Sequence, residues 1–309
     1  HWTRANSGGG GGGGGGGIGG GDGPSYTITV DEDEGANVTP DGKVEVPAGD
    51  DKTFIIDAED GYIITDVVVD GESIGVVDKY TFENVKEDHT LEIKVTKMLT
   101  GDHIAYITGY PDGSVHPEAE ITRAEVAAIF FRLLSDDARE QYETNTSKFV
   151  DANSNWANTE IATLTNAGIL KGYEDGTFRP DASITRAEFA AVAARFDKLE
   201  ASSLTFSDVA PSHWAYSYIA SAAEKGWVNG YSDGTFRPEN SITRAEVVKI
   251  TNAVLNRICD KEYVTEHIAD LNAYNDIQST HWAYYEIMEA SNAHDYESSD
   301  GVESWTALK

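Results

Sequence analysis

The chain has 309 residues, 53 of them acidic against 23 basic, for a formal charge of −30 and an isoelectric point near 4.4. So acidic a surface excludes nucleic acid as a general electrostatic partner and argues against adhesion to anionic lipid. The single cysteine, Cys259, rules out an internal disulfide and a cysteine-ligated metal cage. No apolar run reaches the roughly 18 residues of a membrane helix, so no membrane insertion is expected.

Residues 1–25 read as a disordered glycine-rich linker. The chain starts at His1 without methionine, as a mature or truncated form would, and His1 to Ser7 read as the stub of a larger upstream protein. Gly8 to Gly17 is an unbroken glycine run with no side chain to bury and maximal backbone entropy, a flexible tether. Residues 26–97 then turn to short β-branched runs. Tyr26–Val30, Lys43–Val46, Thr53–Ile56, Tyr62–Val69, Tyr80–Phe82 and Thr90–Val95 read as strands, with turn signals at Asp41-Gly42 and Asp70-Gly71. Six short strands predict a small antiparallel sandwich.

From residue 98 to 309 the pattern becomes helical and repetitive. Ile121-Thr122-Arg123-Ala124-Glu125 recurs unchanged at Ile184 to Glu188 and at Ile242 to Glu246, the arginines lying 63 and then 58 residues apart. Before the second and third copies stand Gly172-Tyr173-Glu174-Asp175-Gly176 and Gly230-Tyr231-Ser232-Asp233-Gly234, each continuing Thr-Phe-Arg-Pro. The first copy, Gly109 to Pro117, keeps the frame but has His116 where the others have Arg179 and Arg237. Trp156 and Trp214 lie 16 residues ahead of Gly172 and Gly230, and each opens a helical segment. In the first copy Asp102–Tyr106 occupies that position with 11 residues missing, about three helical turns. Trp282 supplies a tryptophan helix with no arginine motif after it, so three of each are present. The Trp282 helix is therefore expected to fill the first repeat's vacancy and close a ring. A non-closing superhelix, with an apolar face at each end, is the rival.

Thr122 with Glu125, Thr185 with Glu188 and Thr243 with Glu246 have the spacing of a capping box, which satisfies two orphan amides at a helix start. Arg123, Arg186 and Arg244 fall at the first helical position, where the helix dipole disfavours a cation, so each needs a negative partner. An internal acid such as Asp151 or Asp208 would serve. An external anion held by arginine and free helix amides would serve equally. Trp156, Trp214 and Trp282 are either core or sugar-stacking platforms. The glycine-tyrosine loops are tight turns, with Asp175 and Asp233 as local caps and Tyr173 and Tyr231 as candidate groove walls.

These motifs resemble the S-layer homology module of bacterial surface proteins, over repeats of about 98–148, 149–205 and 206–309. The β-rich residues 26–97 resemble, more loosely, the bacterial repeat modules that accompany such proteins. The expected fold is multidomain and mainly α, a three-repeat pseudo-threefold helical assembly with a small all-β antiparallel sandwich on its N-terminal side. The resemblance implies noncovalent anchoring of a secreted protein to the bacterial cell wall. Anionic, pyruvylated secondary cell-wall polysaccharide would bind in grooves between repeats. Arg123, Arg186, Arg244, Trp156, Trp214, Trp282, Gly172, Tyr173, Asp175, Gly230, Tyr231 and Asp233 are the ligand-binding candidates. The alternatives are self-association in a surface lattice and service as the C-terminal anchor of a secreted glycan hydrolase. No nucleophile elbow, zinc-protease helix or phosphate loop occurs, so neither catalysis nor a cofactor or metal is expected. Cys259, on an apolar-patterned segment, reads as a buried thiol.

Overall fold

The computed structural model describes residues 23–200 and 202–309. Most of the expected glycine tether thus lies outside the described residues.

The N-terminal part is a two-sheet sandwich of β1 (Ser25–Glu32), β2 (Ala36–Thr39), β3 (Lys43–Pro47), β4 (Lys52–Ala58), β5 (Tyr62–Val69), β6 (Glu72–Gly75), β7 (Lys79–Phe82) and β8 (His89–Lys97). One sheet runs β3-β1-β8-β5-β6 and the other β2-β4-β7. Ile28, Phe54, Ile56, Val67, Leu91 and Ile93 fill the space between them. Alternation along each strand puts these residues on the inner face. The sandwich is not wholly antiparallel, because β1 lies parallel to β8. The first and last strands are free to pair in parallel because the whole domain serves as their crossover. At Asp70-Gly71 both residues take positive φ, 50° and 83°, as the two-residue hairpin between β5 and β6 requires.

The helical part comprises α1 (Arg123–Leu133), α2 (Asp136–Tyr142), α3 (Asn158–Asn166), α4 (Arg186–Ala194), α5 (Tyr216–Glu224), α6 (Arg244–Val254), α7 (Lys261–Glu266) and α8 (Tyr284–Ser291). A C-terminal hairpin, β9 (His294–Ser299) and β10 (Val302–Leu308), follows. The expectation of a mainly α fold is overturned: 26 % of the described residues are helical and 24 % are strand. The arginine-motif helices span only 9 to 11 residues, and the loops between them are irregular. The sandwich and the unforeseen hairpin add strand.

Each arginine-motif helix packs on the tryptophan helix that follows it: α1 on α3, α4 on α5, α6 on α8. The chain leaving α3 turns back, and the amides of Ile169 and Leu170 both donate to the Leu164 carbonyl. After α5, Trp227 and Val228 do the same to Ala222. In the first repeat Tyr106 and Ile107 donate instead to Ala290, in α8. The C-terminal helix therefore holds the place that α3 and α5 hold for their own repeats, and the ring is closed. Asp102–Tyr106 is irregular, with a tight turn from Asp102 to Ile104, and matches the residues that leave a tryptophan helix and not those that begin one.

At the centre the three motif isoleucines form a cyclic triangle. Ile121 N–H donates to Ile242 (3.3 Å), Ile242 to Ile184 (3.1 Å) and Ile184 to Ile121 (3.0 Å). All three side chains are buried, giving the invariant first letter of the motif a hub role. The sandwich docks on the ring through the turn into β5. Ile63 joins the helical core with Met98 and Phe196, and Lys198 pairs with Glu59 at 2.8 Å.

Candidate ligand grooves at the repeat junctions

The three capping boxes form as their spacing requires. Glu125, Glu188 and Glu246 amides bond the threonine hydroxyls, and the carboxylates reach back to the threonine amides at 2.8–2.9 Å. The other carboxylate oxygen of each glutamate takes the arginine of a neighbouring motif. Arg123 pairs with Glu188 (2.9 Å), Arg186 with Glu246 (2.5 Å) and Arg244 with Glu125 (2.9 Å), a cycle that runs once around the ring.

Those arginines are buried, only 5–6 % exposed. Beyond the ion pair, each Nε donates to a loop carbonyl, of Phe178, Phe236 or Val115. A terminal nitrogen of each donates to Lys171, Asn229 or Thr108. The guanidinium of Arg123 also lies 4.5 Å from the Phe178 ring and that of Arg186 4.7 Å from Phe236. The internal acid is thus the glutamate of the adjacent capping box. Asp151 and Asp208, the partners considered from sequence, instead accept the amides of Phe178 and Arg179, and of Phe236 and Arg237. Asp276 does this for Val115 and His116 in the first repeat, from the C-terminal segment.

The helix amides expected to be free for an anion are taken as well. Arg123 and Ala124 donate to Ala182 and Pro180, Arg186 and Ala187 to Asn240 and Pro238, and Arg244 and Ala245 to Ala119 and Pro117. These carbonyls belong to the adjacent repeat, so closing the ring consumes the donors.

Gly172 and Gly230 are required by close approach and not by positive φ. An added Cβ would sit 2.2 Å from the Phe149 ring at Gly172 and 2.4 Å from the Phe206 ring at Gly230. Tyr274 plays the same part against Gly109. Asp175 and Asp233 cap their loops: each accepts from the following threonine and pairs with Arg179 or Arg237. These bonds, the threonine hydroxyl's foremost, hold both carboxyls down at about 2. Arg179 and Arg237 stack over Tyr173 and Tyr231 at 4.0 and 3.9 Å. His116 fills that place in the first loop, 4.7 Å from the Tyr110 ring.

Three grooves lie at the repeat junctions, each built by residues far apart in sequence. One is lined by Arg123, Gly172, Tyr173, Glu188, Arg195 and Trp214. The second is lined by Arg186, Gly230, Tyr231, Glu246, Lys249 and Trp282. The third combines Arg244, Gly109, Tyr110, Glu125, Arg132 and Trp156. Their volumes are about 610, 180 and 230 Å³ respectively. Asp175 and Asp233 stand outside these linings. Trp156, Trp214 and Trp282 are 63, 55 and 54 % exposed, so they are groove walls and not core. The Tyr173 hydroxyl donates to Glu188 at 2.7 Å; burial first, then this bond, raises its pKa.

Sequence reasoning missed Arg132, Arg195 and Lys249. Among the described residues none of the three pairs with a carboxylate; Arg132 and Arg195 donate to the Tyr106 and Ile169 carbonyls, and Lys249 lies 5.7 Å from the Trp282 ring. Arg132 and Arg195 each follow their motif arginine by nine residues, a regularity visible in the sequence.

Three segments of this chain match the S-layer homology domain. They are residues 105–127, 148–190 and 205–248. The first matched segment is the short one, and it belongs to the repeat in which α8 holds the place of the tryptophan helix. The chain is 37 % identical over 233 residues to cell surface glycoprotein 1 of Acetivibrio thermocellus, covering 69 % of this chain and 10 % of that protein. It is 40 % identical over 205 residues to the cellulosome-anchoring protein of the same organism, 64 % of this chain and 44 % of that protein. With an amylopullulanase of Thermoanaerobacterium thermosulfurigenes it shares 34 % identity over 187 residues, 57 % of this chain and 10 % of that protein. The chain thus spans less than half the length of each of these relatives.

Proposed function

We propose that the chain is a non-catalytic anchor that holds a secreted protein at the bacterial cell surface by binding an anionic, pyruvylated secondary cell-wall polysaccharide. The observation that carries this reading is the threefold recurrence of a groove pairing an exposed tryptophan with a cation that has no acid partner among the described residues. Sugar rings stack on Trp156, Trp214 and Trp282, and carboxylate substituents pair with Arg132, Arg195 and Lys249. Arg123, Arg186 and Arg244, with Tyr173 and Tyr231, form the groove floors, while Gly172, Gly230, Asp175 and Asp233 hold the loops that shape them. The relatives named for the cell surface and for cellulosome anchoring support the location. Residues 26–97 act as a spacer between residues 98–309 and whatever the chain carries.

Several weak sites on one polymer give avidity that a single groove lacks. Because the chain is acidic overall, the attraction to an acidic polymer is local and weakens with salt. The test is sedimentation with purified cell-wall sacculi, before and after acid removal of the secondary polymer. The parent should sediment only with untreated sacculi. A Trp156→Ala, Trp214→Ala, Trp282→Ala triple variant, folded by circular dichroism, should stay in solution. Equal sedimentation of parent and triple variant would overturn the groove assignment, and parent binding to acid-treated sacculi would overturn the polymer.

A further inference from the structure

Where the entry to the first repeat meets α8 and β9 to close the ring, three chemistry-bearing side chains converge that neither the ring nor the grooves employ. His103 comes from the irregular segment entering the first repeat, Glu289 from α8 and His294 from the start of β9. They are 3, 0 and 0 % exposed. His103 Nδ1 lies 2.8 Å from His294 Nε2 and 3.1 Å from Glu289 Oε1, and His294 Nε2 lies 3.5 Å from the same oxygen.

One hydrogen bond at the edge of the cluster sets a lone pair facing inward. His294 Nδ1 faces the Asn292 carbonyl at 2.8 Å, so it carries the proton and leaves Nε2 as an acceptor. His103 Nδ1 is then the donor in the 2.8 Å hydrogen bond to that nitrogen, and a metal ion would take the place of this proton, which can move to His103 Nε2, 3.9 Å from Glu303. Neither Glu289 oxygen makes a well-formed hydrogen bond among the described residues, although the side chain is fully buried; the Trp305 indole N–H, itself without a well-formed bond, is the one donor turned toward it. A single proton shared by the two imidazoles would leave that carboxylate unsatisfied, at a cost that buried polar groups rarely bear. A cation at the centre engages all three.

We propose that His103, Glu289 and His294 bind one divalent transition-metal ion, zinc above all, which staples the seam of the ring. Two imidazoles and a carboxylate are a recurrent three-residue zinc set. Bonds of about 2.0–2.2 Å in a tetrahedron put ligand atoms roughly 3.3–3.5 Å apart, so the observed spacing needs an opening of only about half an ångström. The hydrogen bond from His294 to the Asn292 carbonyl is of the kind that orients a ligating histidine. Magnesium and calcium, which prefer all-oxygen shells, suit the site poorly. The surrounding charge is mixed. Arg257 and Lys309 oppose a cation, but the terminal nitrogens of Arg257 are engaged by the Ile104 and Asp102 carbonyls, Lys309 pairs with Asp295 at 2.8 Å, and Glu303, Glu286 and Asp102 offset them.

The test uses the full chain, stripped with chelator and dialysed. Zinc should bind at one per chain by elemental analysis after gel filtration and should raise the melting temperature, while magnesium should not. Cobalt(II) should give the intense visible absorption of a tetrahedral site. Glu289→Gln, close in shape and uncharged, should keep the metal-free circular dichroism and melting temperature yet bind zinc at least tenfold more weakly. His213→Gln with His281→Gln, which removes two surface imidazoles, should leave binding unchanged. Sub-stoichiometric zinc in the parent, undiminished binding by Glu289→Gln, or loss of zinc only on removing His213 and His281 would overturn the proposal.

Discussion

Replacing Arg186 by methionine tests whether the motif arginines hold the ring together. The substitution keeps an unbranched side chain against Phe236 and Tyr231 but removes the donors to Phe236 (2.9 Å), Glu246 (2.5 Å) and Asn229 (3.3 Å). Arg186 is 6 % exposed and Glu246 keeps only 24 % of its side chain in water, so water does not readily replace the lost bonds. Breaking a buried pair from one side costs about 3–5 kcal/mol. Partial solvation of Glu246 argues for the lower end, about 3 kcal/mol. That is a large part of the roughly 5–15 kcal/mol that stabilises a typical domain. Urea unfolding followed by far-ultraviolet circular dichroism should show the midpoint of the helical part fall steeply. Arg237→Ala, which breaks an exposed pair to Asp233 seven positions before the motif arginine of the same repeat, is the control and should leave the midpoint within error. Equal effects of the two substitutions would refute the ring-clasp role and return the buried arginines to the pool of ligand-seeking cations.

Other expectations follow from the same geometry. Gly172→Ala, driven against the Phe149 ring and the Thr177 carbonyl, should destabilise by about 1–3 kcal/mol in the same urea assay. Gly176→Ala, in open space at φ +79°, should cost only about 1 kcal/mol. Deleting residues 274–309 removes Asp276 and α8, so hydrogen exchange over 106–116 should lose its protection while that over the second repeat's loop is retained. Burial, reinforced by Glu289 and Glu286, drives the Cys259 thiol well above its ordinary pKa. At pH 8 it should therefore react with a disulfide reagent far more slowly than after unfolding in urea. Within the sacculus assay, Trp214→Ala should weaken binding more than Trp282→Ala, since Trp214 walls the widest groove.

What the sequence revealed depended on whether the controlling contact was local. Capping boxes are settled within four residues, so Thr122 with Glu125 and its two counterparts were readable, and the sandwich strands were readable from alternation. The ring closure followed from a count, three tryptophan helices against three arginine motifs. The arginine partners were not legible because Glu188 lies 65 residues from Arg123 and already had a complete local role as a capping residue. The exposure of the tryptophans was hidden for a related reason: helix-start periodicity does not tell a groove wall from a core residue. Two short strands, β2 and β6, carried too few apolar residues to register. The β9–β10 hairpin was within reach, since Asp300-Gly301 is flanked by alternating residues ending at Trp305.

The split first repeat also fixes the order in which the molecule can become complete. The amides of Val115 and His116 wait for Asp276, and those of Tyr106 and Ile107 for Ala290, separations of 160 residues and more. A chain emerging from its N-terminus can assemble the sandwich and the second repeat early, but its first loop stays unsupported until Asp276 and Ala290 have appeared. Long-range closure of this kind is slow, because entropy is lost before any contact is gained. Emergence of the C-terminal segment is thus the signal that completes the ring, and a prematurely ended chain remains visibly unfinished to any protease that samples its first loop.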